Sequence, residues 1–260
     1  MAYETLIVTQ DNGIVNVVLN RPEKRNAMNA TMISELLYVL KESAHQSRMH
    51  ALLIQGKGEH FCAGADIRGM QAMATASQTD NLSDAEQLAD MLYTLHTFPK
   101  PTIVMATGAV MGGGLGLLAA ADMAFCTSDA VFGFSEVSLG LAPSTISPYI
   151  VKAIGERLAR FYFLTGQRFD AQKAIDMHLV NACYDNAPEL MTAGFALAQT
   201  LATYEPKAIA EIKHLLNMVS SEPLTPSLVE KTAKHLAHCR AMPEAQARLQ
   251  AFFDKPKERG

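Results

Sequence analysis

The sequence is poor in charge, and no charge of one sign is concentrated. Asp, Glu, Lys and Arg make up 18% of its 260 residues, and the formal net charge is −4. No long basic run occurs, so nucleic acid finds no electrostatic footprint. Cysteine is scarce too. Cys62, Cys126, Cys183 and Cys239 lie far apart and form no CxxC pair. That suits a reduced, cytoplasmic compartment without structural disulfides. The opening MAYETLIVTQ lacks a charged region leading into an apolar one, which speaks against a secretory signal. Glu4 and Asp11 precede the first arginine, Arg21, which speaks against a mitochondrial presequence. No fixed-period repeat is present. One uncharged run, Pro101 to Ala121, approaches the length of a membrane span. Its five glycines, its proline and the lack of a basic flank argue against one. His235, His238 and Cys239 can face one way on a helix, but a zinc site needs a fourth ligand and supporting partners that the sequence does not display. No metal centre is expected.

What is present is enough for a large core. Hydrophobic residues are 49% of the chain, which suits one large domain or one domain with an appendage. The chain is organised around residues 102–140. A β-branched apolar run, Thr102–Met105, ends at Gly108. Gly112, Gly113 and Gly114 follow, then an Ala-rich apolar segment of helical length. A strand, a glycine turn and a helix aim bare backbone N–H groups at negative charge, and the helix start adds a partial positive charge. Downstream, Glu136 sits among apolar residues, a setting suited to proton chemistry.

Around that centre, Leu6 and Val8 read as a strand, Asp11-Asn12-Gly13 as a turn and Ile14–Leu19 as the returning strand. Residues 20–27 form a loop carrying Lys24 and Arg25, which are either solvated or set against a phosphate. Ile33, Leu36, Leu37 and Leu40 recur at helical spacing behind a cap at Asn29 or Thr31, and Ala51–Ile54 is a buried strand. In Phe61–Arg68 small residues permit close backbone approach, and Asp66 reads first as the cap of a helix starting near Ile67. Cys62 as a nucleophile would need His60 oriented as its base. Residues 75–83 are polar and read as a mobile loop, and Ala85–His96 as a helix. Helical segments run past Ile154 and over Ala171–Met177. From about Pro188 the apolar stripes are all helical, serving as core or as a subunit interface.

Five segments together carry a resemblance: NRPEKRNAMN, HFCAGADI, GAVMGGGLGL, FGFSEVSLGLAP and QAFFDKPK. In this order they resemble the enoyl-CoA hydratase/isomerase (crotonase) superfamily. SEVSLGLAPSTISPYIVKAIG and RFYFLTGQRFDA look most like the methylglutaconyl-CoA hydratases and related branched-acyl hydratases of leucine and terpenoid breakdown. The resemblance implies an α/β fold, a crotonase-type spiral of repeated ββα units over residues 1–186. Residues 187–260 would form a C-terminal helical region that joins trimers or hexamers and covers the active site. It implies an acyl-CoA thioester substrate, no separate cofactor, and no nucleic-acid or membrane partner. The Ala65 and Gly113 N–H groups match the pair that binds the thioester oxygen, with Gly112 beside them. Ala63, Gly64, Asp66 and Ile67 lie in the segment that holds adenine and pantetheine. Lys24, Arg68, Phe252 and Lys255 match the phosphate and adenine ends. Ser144, next to Pro143, matches a backbone position that helps hold the reacting water.

The departure lies at Gly116. Hydratases of the family use two glutamates; the second matches Glu136, but Gly116 stands where the first is expected. The expected activity is hydration of a 2,3-enoyl thioester by Glu136 with one oxyanion hole. Its alternatives are a Δ3–Δ2 isomerase that shuttles one proton, a thioester hydrolase, or a non-catalytic acyl-CoA binder. A rival of another class is a dinucleotide-binding oxidoreductase, since Gly114-x-Gly116-x-x-Ala119 follows a strand and opens a helix, with Glu136 as the downstream acid.

Overall fold

The computed structural model describes residues 3–254. The first strands, β1 (Leu6–Asp11) and β2 (Ile14–Leu19), form an antiparallel hairpin. Asn12 and Gly13 both have positive φ, as a two-residue hairpin turn of matching twist requires. Helix α1 (Ala30–Ala44) follows, capped by the Asn29 side chain, which accepts from the Met32 N–H. Then come β3 (Ala51–Gly56), α2 (Ile67–Ala74), α3 (Gln78–His96) and β4 (Thr102–Ala106). After them stand β5 (Ala109–Met111), α4 (Gly113–Ala120), β6 (Met123–Thr127) and β7 (Val131–Gly133). Helix α5 (Ser147–Thr165), β8 (Phe169–Asp170), α6 (Ala171–Asp176), β9 (Ala182–Tyr184) and α7 (Ala187–Leu201) complete the first of two compact units, which ends at Leu201.

Six strands make one sheet in the order β1-β2-β3-β4-β6-β9, parallel from β2 onward. Its register aligns Val17, Ile54, Val104 and Ala124. Every residue of β4 is buried, which is why Thr102–Met105 reads as an unbroken apolar run rather than an alternating one. One core lies between this sheet, α1, α3, α4 and α5; a second lies under α7, where Leu190 and Ala198 meet Leu53, Ile103 and Met105. A smaller sheet, β5-β7-β8, stands beside the large one and carries the glycine triplet at its end.

The second unit, from Ala202, consists of α8 (Pro206–Ser221), α9 (Pro226–Ala241) and α10 (Pro243–Phe253) among the described residues. The sequence-based boundary between residues 186 and 187 falls before α7, whereas the compact units divide after it, because α7 packs on the sheet through the second core. The expected loop over 75–83 is corrected: α3 begins at Gln78. Ser77 Oγ accepts from the Asp80 N–H at 3.1 Å and donates to the Asp80 carboxylate at 2.7 Å. Asn81 donates to the carbonyls of Met73, Ala76 and Ser77. Polar residues here satisfy a helix end instead of marking a loop. The run Pro101–Ala121 is divided among β4, β5 and α4, and no described helix is long and apolar enough to cross a membrane.

Candidate active site

The site is built where two backbone segments run side by side. The Cys62 N–H donates to Ala109 O at 3.1 Å, and the Met111 N–H to Cys62 O at 2.9 Å. These bonds lay Cys62–Asp66 along β5 and the glycine triplet. On its other flank the Met28 N–H donates to Gly64 O and the Asp66 N–H to Met28 O, both at 2.8 Å. That pairing uses Gly64 O and Asp66 N, and the Ala65 N–H donates to no described residue. Gly113 opens α4, so its N–H is one of the first-turn donors that no helical carbonyl reaches. Gly112 turns the chain with φ 45° and ψ −114°, a conformation closed to side-chain-bearing residues, and Gly64 has φ 94°. A Cβ on Gly113 would stand 2.3 Å from Met28 Cε, and one on Gly114 2.8 Å from Cys62 O. The two segments approach this closely only because the triplet has no side chains.

Glu136 begins a one-turn 3-10 helix, Glu136–Leu139, just after β7. The β5–β7 pairing places Met111 beside Gly133, and the Gly112 N–H donates to Gly133 O at 3.1 Å. Strand pairing therefore delivers Glu136 to the triplet. Its Oε1 lies 3.0 Å from where a Gly112 Cβ would be. Its Oε2 is buried with no hydrogen-bond partner. Burial pushes the carboxyl above the usual glutamate range, with its own backbone N–H pulling weakly the other way. This is not the environment of a solvated surface acid.

Gly116 lies one helical turn inside α4 and is buried. A Cβ there would meet Ile146 Cγ2 at 2.4 Å and Leu92 Cδ1 at 3.3 Å. Ile146 and Leu92 are themselves 2% and 0% exposed. The place for a first glutamate is filled by an apolar wall. Ser144 is exposed, and its N–H already donates to Ala142 O at 2.8 Å, while its carbonyl accepts from the Ser147 N–H and hydroxyl. Pro143 is half-buried next to it.

Asp66 is the cap of α2, accepting from the Arg68 N–H at 2.8 Å. It also holds Arg21 at 2.7 Å, and this guanidinium keeps its carboxyl below the ordinary range. Arg21 donates in addition to Ala27 O. Asn26, fully buried at φ 53°, accepts from the Arg21 N–H and donates to the carbonyls of Lys57 and His60. Arg21 thus fastens the 20–29 loop to the Ala63–Ile67 segment and Asn26 fastens it to residues 57–60, roles that sequence reading assigned to neither. Lys24, Arg25, Ile67 and Arg68 are exposed, and the Ala63 N–H donates to Arg25 O at 2.9 Å, so the backbone of the 20–29 loop lies against the segment that leads into α2. Phe252 is 69% exposed on α10 in the second unit; Lys255 lies outside the described residues. Cys62 is buried and its thiol is pushed up to about 11, which leaves it inert at neutral pH. His60 accepts at Nδ1 from the Ala109 N–H instead.

The dinucleotide reading requires its glycine turn at the carboxyl edge of an open parallel sheet. Here the strand before α4 is β5, which belongs to the small three-stranded sheet. Comparison with known proteins agrees with the other reading. Residues 9–259 match the sequence profile of the family described as enoyl-CoA hydratase/isomerase. The hydroxycinnamoyl-CoA hydratase-lyase of Pseudomonas fluorescens is 35% identical over 82% of this chain and 78% of its own length. The mitochondrial Delta(3,5)-Delta(2,4)-dienoyl-CoA isomerase of Rattus norvegicus is 31% identical over 84% of this chain and 70% of its own. The crystal structure of an enoyl-CoA hydratase from Shewanella pealeana superposes with a TM-score of 0.93 at 37% identity, covering 96% of this chain and 94% of that one. With this fold, and with a profile match spanning nearly the whole sequence, the chain belongs to the enoyl-CoA hydratase/isomerase (crotonase) superfamily.

Proposed function

We propose that this protein is a hydratase that adds water across the 2,3 double bond of an acyl-CoA thioester, with Glu136 as its one acid–base group. The observation that carries this reading is the half-buried Glu136 carboxyl, its Oε2 buried without a partner, against Gly112 and beside two bare N–H groups. The thioester oxygen accepts from the Ala65 and Gly113 N–H groups. As a water oxygen bonds to C3, Glu136 takes the water's proton, and the electron pair of the double bond moves onto the thioester oxygen as an enolate. Glu136 then returns the proton to C2. The N–H donors bind the enolate more strongly than the ground-state carbonyl, and such a donor is worth ~2.7–4 kcal/mol of barrier. The exposed Lys24 and Arg68 meet the phosphates of coenzyme A. A branched acyl chain such as 3-methylglutaconyl, and hence a place in leucine breakdown, extends this reading, as does a cytoplasmic trimer or hexamer.

Gly116 supports a second reading. With its surroundings sealed by Ile146 and Leu92, a two-carboxylate mechanism has no room at that position. One carboxylate suffices for a Δ3–Δ2 isomerase, in which Glu136 moves a proton from C2 to C4. Crotonyl-CoA and 3-methylglutaconyl-CoA, followed by loss of their conjugated absorbance, test the first reading. A 3-enoyl-CoA, followed by gain of that absorbance, tests the second. Turnover of only the 3-enoyl thioester would transfer the assignment to the isomerase, and binding without turnover of any of them would reduce the protein to an acyl-CoA binder.

A further inference from the structure

We propose that α8 and α9 of the second unit carry a site for a borderline divalent metal ion such as zinc, held by Glu211, His235 and Cys239. His235 and Cys239 are four residues apart on α9 and so share one face. Glu211 arrives from α8. Its Oε2 stands 2.9 Å from His235 Nε2, and Cys239 Sγ stands 3.9 Å from that same nitrogen. The ligand atoms of the three residues all fall within 4.8 Å of one another. Ligands at ~2.0–2.3 Å around a tetrahedral ion sit roughly 3.3–3.8 Å apart, so small side-chain adjustments gather these three about one centre.

The ligand set and its surroundings fit such an ion. Imidazole, thiolate and one carboxylate select zinc and its neighbours over calcium or magnesium, which take oxygen shells. The side chains of His235 and Glu211 are 13% and 28% exposed, so the site is partly desolvated yet reachable. A cleft of about 530 Å³, lined by Glu211, His214, Met218, Lys231, Lys234, His235 and His238, supplies the way in. The two lysines do not oppose a cation there, because Lys231 pairs with Glu222 at 2.7 Å and Lys234 with Glu230 at 2.6 Å. The fourth coordination position faces the cleft and takes a water or His214, whose ring centre is 5.9 Å from that of His235. Binding replaces the Cys239 S–H bond with a sulfur–metal bond and the Nε2–H that His235 donates to Glu211 with a nitrogen–metal bond; the neutral imidazole then carries its one proton on Nδ1, and the displaced thiol proton goes to solvent. The ion would tie α8 to α9 and takes no part in the acyl-CoA chemistry.

Cobalt(II) is the probe. Added to full-length protein stripped of metal with a chelator, it is expected to give one equivalent of a near-ultraviolet thiolate-to-cobalt charge-transfer band, with visible bands of a four-coordinate ion, both displaced by zinc. Cys239→Ser is expected to abolish the charge-transfer band. His235→Gln is expected to weaken cobalt binding more than ~10-fold, the lower bound set by the loss of mere supporting partners. Cys183→Ser, with Cys183 outside this unit, is expected to leave the spectrum unchanged. Circular dichroism of each variant checks the helices, and zinc is expected to raise the melting temperature of the wild type but not of Cys239→Ser. No charge-transfer band in the wild type, or an equal band in a folded Cys239→Ser protein, overturns the proposal.

Discussion

At the scale of the residue, the proposed reaction rests on one carboxyl, Glu136, whose environment sets its pH behaviour. Burial favours the neutral acid of Glu136, so its folded-state value is raised above its unfolded one. The folded protein then holds the proton longer. The associated stability is complete below the ordinary glutamate range and is lost as pH rises through the raised value. Hydration needs the ionised form to take the water's proton. Activity should therefore rise with pH on a limb lying above the usual glutamate range, in a kcat/KM profile read on any turned-over enoyl thioester. Glu136→Gln keeps the shape and removes the base: a loss of about 10²–10⁴-fold in kcat is expected. At neutral pH the variant should melt no lower than the wild type, and its advantage should vanish as the pH falls. Near-full activity would dismiss Glu136 from the reaction, and lower stability at neutral pH would contradict the placement of Oε2 in a buried spot without a partner.

Gly116 is the residue-scale counterpart, a position defined by what cannot stand there. Gly116→Ala places a methyl against Ile146 Cγ2, an overpacking expected to cost about 1–3 kcal/mol in chemical denaturation. Adding Ile146→Ala removes the offending Cγ2, so the pair should cost less than the sum of the two single substitutions, a coupling between neighbours that independent sites would not show. Gly116→Glu should destabilise further and add no activity, since it buries a carboxylate among Leu92 and Ile146. A gain in hydration from that variant would mean that the wall opens to admit a second acid. The sequence shows the missing glutamate plainly, but not its cause, since Ile146 lies thirty positions away and reaches Gly116 only through the packing of α5 on α4.

At the scale of the element, the site depends on how loops are fastened to helices. Asp66 caps α2 and holds Arg21, with side-chain exposures of 9% and 16%. Asp66→Ala removes a cap worth about 1–2 kcal/mol and leaves Arg21 without its carboxylate, so the loss in urea unfolding should exceed that of a cap alone. Because the Asp66 carboxyl is held below its ordinary range by Arg21, its contribution is present above the ordinary aspartate value and is lost as pH falls through the lowered one. The difference between wild type and Asp66→Ala should therefore shrink in acid; a difference independent of pH would separate the cap from the ion pair. The cap itself was legible, as were the strands from Leu6 to Ile54 and the turn at Gly112, because each has a local signal: a side chain that accepts, an alternating or β-branched run, glycine where φ is positive. The partner of the cap was not legible. Arg21 and Asn26 act through contacts formed only when two loops more than thirty positions apart are laid together. The 75–83 segment misled for the opposite reason. Its Ser, Asp and Asn make local bonds, and those bonds satisfy a helix start as readily as a loop.

At the scale of the whole molecule, the helical stripes of residues 187–260 answered two different needs. The first, on α7, is core: Leu190 and Ala198 are fully buried beneath the sheet. The later ones are not. Ile212, Leu216, Val229, Leu236 and Phe252 are each more than half exposed, from 51% at Leu236 to 69% at Phe252, and Leu224 in the α8–α9 connection is 86% exposed. Periodicity registers an apolar face but cannot say whether the chain's own sheet or another surface will cover it. Repeated exposed apolar residues in one unit mark an interaction surface more often than chance on a monomer. Light scattering coupled to size exclusion is expected to give a mass that is a multiple of the 28.2 kDa chain, from three copies upward. Leu216→Glu and Leu224→Glu should shift that mass downward while leaving the far-ultraviolet circular dichroism intact, because neither side chain is buried within the chain. If association also completes the binding surface for the coenzyme A end, the same variants should raise KM more than they lower kcat, since Glu136 and the Ala65 and Gly113 donors all lie in the first unit. A monomeric wild type at micromolar concentration would leave these apolar residues to a different partner and would remove the oligomer from the reading of this chain.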